Sequence, residues 1–268
     1  MLEELALYLG FGCVAGVLSG LLGIGGGVVI VPFLVWYFSV LGFPSDAVMI
    51  MAVATSLATI VVTSLSAAHA HHGHGAVDWG AVGRLAPGIL AGSAFGSVIA
   101  DHLPARWFKG VFAVFLLTIA LSMLMRPARE AIAGATPDTR RFGWVGALIG
   151  ALSSILGIGG GALSVPFLVR RGYLLRRAVA ISSACGFPIA AAGTAAYVAL
   201  GWSRTGLPSW SLGYVYLPAL AGIMMTSVPF APLGAHLAHR WPVRRLRMAL
   251  AVIIALGGAK LLWQALSL

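Results

Sequence analysis

Two glycine runs in this sequence have the form that lets backbone amides bind an anion. The motif LGIGGG occurs at residues 22–27 and again at residues 156–161. Glycine bends the chain tightly and lets a ligand approach the backbone, and a helix that starts after such a bend has amides without an internal acceptor. Those amides and the positive end of the helix dipole attract negative charge. Each run therefore predicts one part of an anion-binding site.

Hydroxyl residues occur in pairs inside apolar segments, at equivalent places in the two halves of the chain. Such hydroxyls can donate to an anion, or they can bond back to the carbonyl four residues earlier in their own helix, and both interpretations stay open. No segment predicted to span the membrane carries Asp, Glu or Arg in its interior, so neutral donors would hold the anion. The candidate substrate-binding residues are Gly25, Gly26, Gly27, Thr55, Ser56, Gly159, Gly160, Gly161, Ser182 and Ser183.

The composition places these residues in a membrane. Hydrophobic residues make up 60% of the 268 positions and charged residues only 9%, against roughly 25% charged in an ordinary soluble domain. A soluble globular protein is therefore excluded, because so few polar side chains could not cover its surface. The net charge of +10 comes from arginines in short clusters between apolar runs. This pattern is typical of cytoplasmic loops and not of nucleic-acid binding.

The chain contains an internal repeat. Residues 19–34 read SGLLGIGGGVVIVPFL, and residues 153–168, which lie 134 positions further on, read SSILGIGGGALSVPFL. This offset is half the length of the chain. Two weaker matches follow in the same order. The sequence therefore predicts two repeated domains, residues 1–134 and residues 135–268.

Each half predicts one broken helical hairpin and three membrane-spanning helices. Residues 142–156, which precede the second glycine run, would extend about 22 Å against a hydrocarbon core of about 30 Å. The broken segments are therefore predicted to be re-entrant hairpins. The predicted elements are a hairpin at 5–43, spans at 47–69, 85–100 and 110–125 and a linker at 126–134, then a hairpin at 142–169 and spans at 178–202, 212–237 and 248–266.

The arginines predict that the two halves are inserted in opposite orientations. Basic clusters mark cytoplasmic loops, whereas the loop 201–211 carries only Arg204 and is predicted to lie outside. The fold class expected is an all-α polytopic membrane protein built from two inverted-topology repeats. Secondary transporters with this architecture bind substrate near the midplane. The clusters are Arg126, Arg129, Arg140 and Arg141; Arg170, Arg171, Arg176 and Arg177; and Arg240, Arg244, Arg245 and Arg247.

Two further series of glycines are spaced by four residues, as close contacts between membrane helices require. We expect these series to serve helix packing and not substrate binding. They are Gly12, Gly16 and Gly20, and Gly88, Gly92 and Gly96.

The duplicated motifs resemble those of the TauE/SafE sulfite exporter family, also called the 4-toluene sulfonate uptake permease family. The resemblance rests on G-x-G-G-G followed by V-P-F-L, on the A-T-S and I-S-S runs, and on the segments GSVIADHLPARWFK and GAHLAHRWPVRRLR. It covers roughly residues 5–266. It implies a bacterial inner-membrane carrier, expected to be an exporter, of small sulfur-containing anions such as sulfite or an organosulfonate like sulfoacetate. The family's motif residues map onto the candidate site residues and onto Gly23, Pro32, Gly157 and Pro166.

A metal-handling protein is the alternative from another functional class. His69, His71, His72 and His74 lie within six residues of one another, and neutral imidazoles bind zinc or nickel. The cluster falls in a predicted loop, however, and no predicted span contains a carboxylate that could pass the ion on. Cys13 and Cys185 lie in apolar stretches and are predicted to be inert buried thiols.

An intramembrane serine hydrolase is a third interpretation. Ser19 or Ser93 would need a histidine within hydrogen-bonding reach, yet all seven histidines fall in predicted loops or at helix ends. We therefore expect a transporter and not an enzyme, with no cofactor, metal site or nucleic-acid partner. The partners expected are a small anion and the lipid bilayer, and a homodimer stays open.

Overall fold

The computed structural model describes residues 2–22, 26–73, 75–125, 141–238 and 243–266. The described residues form helices and one short β-hairpin. This mostly helical structure agrees with the predicted class of polytopic helical membrane protein. The helices are α1 (Leu2–Leu22), α2 (Gly27–Val40), α3 (Val48–Gly73), α4 (Trp79–His102), α5 (Ala105–Met125), α6 (Phe142–Leu156), α7 (Gly161–Arg170), α8 (Leu175–Gly201), α9 (Leu217–Ala238) and α10 (Val243–Leu266). The strands of the hairpin are β1 (Ser211–Leu212) and β2 (Val215–Tyr216).

Four of the described helices are long and apolar enough to cross a membrane. They are α3, α4, α5 and α8, and all four coincide with predicted spans. Three of the four helices that flank the glycine runs are shorter: α2 has 14 residues, α6 has 15 and α7 has 10, whereas α1, before the first run, has 21. At 1.5 Å per residue none of these three reaches the thickness of the hydrocarbon core.

The second apolar segment breaks at its glycines because their backbone leaves the helical region. Gly157 caps the end of α6 with φ 64°, and Gly160 precedes α7 with φ 77°. Both values are left-handed, a conformation that glycine adopts without the steric cost that a Cβ imposes. The first helix therefore ends at Leu156, and a new helix begins at Gly161.

Two boundaries differ from those predicted. α3 continues to Gly73, so His69, His71 and His72 lie in its last turns and not in a loop. The segment from residue 212 first forms the hairpin, in which Ser211 pairs with Tyr216, and α9 begins only at Leu217. Hydropathy does not distinguish these hairpin residues from the start of a helix.

α3 and α8 form the centre of the molecule and pack along each other. Every residue of α3 from Val48 to Ile60 is buried. Around this centre α1 packs on α9, α4 on α6, and α5 on α10. Each of these pairs joins one helix from residues 1–134 with one from residues 135–268.

The glycines spaced by four residues lie at these helix contacts, which confirms the packing expectation for five of the six. A Cβ at Gly92 would overlap the carbonyl of Ala147 on α6, and a Cβ at Gly16 would overlap the backbone of Ser227 on α9. Gly12, Gly88 and Gly96 meet backbone or side-chain atoms in the same way. The surroundings of Gly20 lie outside the part that the structure describes.

Candidate functional site

The break between α6 and α7 leaves backbone amides at the start of α7 without an acceptor in that helix. The carbonyl of Gly160 already accepts the amides of Leu163 at 3.0 Å and Ser164 at 2.8 Å. The amides of Gly161 and Ala162 begin α7 and have no acceptor within the helix. The amino-terminal dipole of α7 therefore coincides with donors that can face a ligand.

The two glycine runs meet in the folded chain. Gly27, the first residue of α2, lies so close to Gly157 that a Cβ at position 27 would overlap the Gly157 carbonyl oxygen and lie 3.0 Å from the Cα of Ile158. Gly26 precedes α2, and its carbonyl accepts the amide of Ile30 at 2.9 Å. Gly25 and Gly23 lie outside the described residues.

Ser56 joins α3 to this contact. Its hydroxyl donates to the carbonyl of Gly157 at 2.8 Å, and its side chain is fully buried. Thr55 is equally buried but faces the β-hairpin, where it accepts the amide of Tyr216 at 3.0 Å. The structure thus brings Ser56 together with both glycine runs and places Thr55 on a different neighbour.

The hydroxyls of the second pair, Ser182 and Ser183, also have different partners. The oxygen of Ser182 lies 2.7 Å from that of Ser164 on α7, whereas Ser183 donates to Val179, four residues earlier in its own helix, at 3.0 Å. Ser182 therefore belongs to the surroundings of the second run. Ser183 bonds back to its own helix, which is the other of the two interpretations of these hydroxyls.

The remaining glycines of the second run lie against helices of the centre. A Cβ at Gly159 would lie 3.1 Å from the side chain of Ile60 on α3, and one at Gly160 would meet Ile189 on α8. Gly161 is half-buried at the start of α7. Any side chain at Gly159 or Gly160 would therefore press on α3 or α8.

Sequence reasoning missed Ser153 and Ser164, which lie on either side of the break. Ser164 donates to the carbonyl of Gly160 at 2.8 Å, and Ser153 is fully buried near the end of α6. Ser153 lies inside the repeated segment, opposite Ser19. That repetition was the signal that could have identified it.

Comparison with known proteins gives a family for this architecture. The model of the family "Sulfite exporter TauE/SafE" matches residues 8–261. The chain belongs to the TauE/SafE family.

Named relatives of this TauE/SafE protein agree with the assignment. A probable membrane transporter protein of Haemophilus influenzae is 36% identical over 256 residues, which cover 95% of this chain and 96% of the relative. A probable membrane transporter protein of Methanocaldococcus jannaschii is 28% identical over 96% of this chain and 94% of its own. The chain is thus a multi-pass membrane transporter and not an enzyme. No solved structure matches it.

A polar network ties the β-hairpin and the loop before it to the first half of this TauE/SafE transporter, at the loop before α3 and at the end of α4. Arg204 forms an ion pair with Asp46 and donates to the hydroxyl of Tyr214 at 3.0 Å. Tyr214 in turn donates to Asp101 at 2.6 Å. Burial and the bond to Asp101 raise the pKa of Tyr214, and the bond to Tyr214 raises the pKa of Arg204. The phenol therefore stays neutral and the guanidinium charged at physiological pH.

The histidines of α3 lie at the end near the start of α4. His72 accepts the indole N–H of Trp79 at 3.1 Å on its Nδ1 atom. His74 lies outside the described residues. Within the described ranges, no three His, Cys, Asp or Glu side chains are grouped so as to hold a metal ion.

Proposed function

We propose that this protein carries small sulfur-containing anions, sulfite or a short organosulfonate such as sulfoacetate, across the membrane, as an exporter. The observation that carries the proposal is the contact of the two glycine runs, where Gly27 lies against the carbonyl of Gly157 and Ser56 joins them. The family assignment supports a membrane transporter, and the contact joins residues of both glycine motifs. The anion binds at the start of α7.

The chemistry around the second run favours an anion over a cation. Neither α3, α6, α7 nor α8 contains an Asp or Glu in its sequence. The free amides at the start of α7 and the hydroxyls beside them are neutral donors. Neutral donors bind a small anion without the strong retention that a buried arginine would impose, so the anion can be released.

Transport proceeds by alternating access between two inverted repeats, with the α1–α2 and α6–α7 segments as re-entrant hairpins. The helix pairs support this proposal. Under the repeat, α1 corresponds to α6 and α9 to α4, and α1 packs on α9 while α6 packs on α4. Two related halves whose equivalent helices pack against each other in this reciprocal way can move relative to each other around the glycine runs.

The experiment replaces Gly27 by alanine and measures sulfite binding to the purified protein by calorimetry. The added methyl group overlaps the Gly157 carbonyl, so we expect binding to be lost while the protein still inserts into the membrane. Sulfate, sulfoacetate, taurine and zinc serve as competing ligands.

Gly10→Ala is the matched control, because Gly10 lies in α1 with nothing within 4 Å of the new methyl group. It should bind like the wild type. Wild-type protein that binds none of the sulfur-containing anions would refute the proposed function, and unchanged binding in Gly27→Ala would refute the proposed site.

A further inference from the structure

Ser153 carries a buried hydroxyl with no hydrogen-bond partner. Its side chain is 0% exposed, and among the described residues its Oγ atom has neither donor nor acceptor within reach. The neighbouring Ser154 is equally buried but donates to the carbonyl of Ala151 at 3.0 Å. Burying a hydroxyl without a hydrogen bond costs free energy and is rare in folded proteins. The absence of a partner for Ser153 therefore calls for a physical explanation.

The hydroxyl is directed at the break before α7. The carbonyl of Ser153 accepts the amide of Ile158 at 3.0 Å, which anchors the end of α6 to the break. Its Oγ atom lies 3.5 Å from the point where a Cβ of Gly160 would be. Gly160 is the residue directly before α7, so Ser153 faces the amino terminus of that ten-residue helix.

The hydroxyl protons of Ser164 and Ser182, the other serines around this terminus, already form hydrogen bonds. Ser164 donates to the carbonyl of Gly160, so in its 2.7 Å contact with Ser182 the proton comes from Ser182. Ser153 therefore keeps an unpaired hydroxyl proton next to Gly160, the residue directly before the free amides of Gly161 and Ala162.

We propose that the hydroxyl of Ser153 donates a hydrogen bond to an oxygen of the transported anion, bound at the amino terminus of α7. This inference rests on the proposed function and deepens it. It adds a hydroxyl donor to the backbone amides at the start of α7, so that the bound oxyanion accepts hydrogen bonds from both kinds of group. Substrate binding then satisfies a group that the substrate-free protein leaves unpaired.

The test is sulfite binding to purified Ser153→Ala, measured by calorimetry, together with the melting temperature of the substrate-free protein. A hydrogen bond to a charged group contributes about 1.5–3 kcal/mol, so we expect the Kd for sulfite to rise about tenfold or more. The substrate-free melting temperature should stay the same or rise, because the alanine removes an unpaired hydroxyl. Ser153→Cys, with a weak donor of similar size, should also weaken binding.

Ser154→Ala is the matched control on the next position of α6 and should keep the wild-type Kd. If the wild type binds sulfite and Ser153→Ala binds it equally well, the role of Ser153 is refuted while the proposed function stands. A substrate-free melting temperature that falls in Ser153→Ala would also refute the inference, because it would assign the hydroxyl a structural role. Wild-type protein that binds no oxyanion would overturn both.

Discussion

Neighbouring hydroxyls in this transporter have different neighbours, and the helix position decides which. Thr55 and Ser56 are adjacent, yet one accepts the amide of Tyr216 and the other donates to the carbonyl of Gly157. Ser182 and Ser183 divide in the same way between another helix and their own. Successive residues of a helix point about 100° apart, so two adjacent hydroxyls cannot both face one site.

Replacing Ser56 by alanine should lower stability by about 1 kcal/mol, because the buried carbonyl of Gly157 loses its donor. Ser183→Ala is the matched control, since the hydroxyl of Ser183 only bonds back to Val179 in its own helix. The measurement is thermal melting in detergent, followed by tryptophan fluorescence. Equal melting temperatures in the two variants would contradict the contact at Ser56.

At the scale of elements, helices approach closely where glycines replace side chains. Gly92 of α4 lies on the carbonyl of Ala147 in α6, and Gly16 of α1 lies on the backbone of Ser227 in α9. In a membrane the association of helices depends on such close packing, because lipid is as apolar as the helices themselves. The contacts between α4 and α6 hold α6, the helix that ends at the second glycine run.

Gly92→Ala should therefore destabilise the protein by about 1–3 kcal/mol, the usual cost of an overpacked contact. Its control is Gly83→Ala in the same helix, where nothing lies within 4 Å of the added methyl group. Melting temperature and the monodisperse fraction on size exclusion check the difference. A Gly92→Ala protein as stable as the control would show that α4 and α6 are further apart than described.

At the scale of the whole molecule, contacts between the two halves dominate the fold. The pairs α1–α9, α4–α6, α5–α10 and α3–α8 all cross from one half to the other. Arg204 and Tyr214 of the second half bond Asp46 and Asp101 of the first. The halves therefore fold as one body, although the sequence repeats itself.

The proposed inverted orientation of the halves predicts which loops can be labelled from outside the cell. In a background without Cys13 and Cys185, a membrane-impermeant maleimide should label Ser209→Cys but not Arg176→Cys in intact cells. Permeabilised cells should allow both positions to react. Labelling of Arg176→Cys and not Ser209→Cys in intact cells would reverse the proposed topology.

Local properties of the sequence were enough to predict most of the elements. Four predicted spans became α3, α4, α5 and α8, because an apolar run of about 20 residues has few alternatives to a spanning helix. The break at Gly157 and Gly160 was predictable because left-handed backbone favours glycine. The hairpin before α9 was not predictable from hydropathy, since its residues are as apolar as a helix.

The sequence by itself determined that this protein lies in a membrane, that it contains a repeat, and where its second glycine run breaks a helix. These features depend on composition and on neighbouring residues. Only the tertiary structure decided that Gly27 meets Gly157, that Ser56 and not Thr55 joins them, and that Ser153 is unpaired. The reason is physical: those contacts join residues about a hundred or more positions apart, and they depend on how each helix is rotated within the bundle.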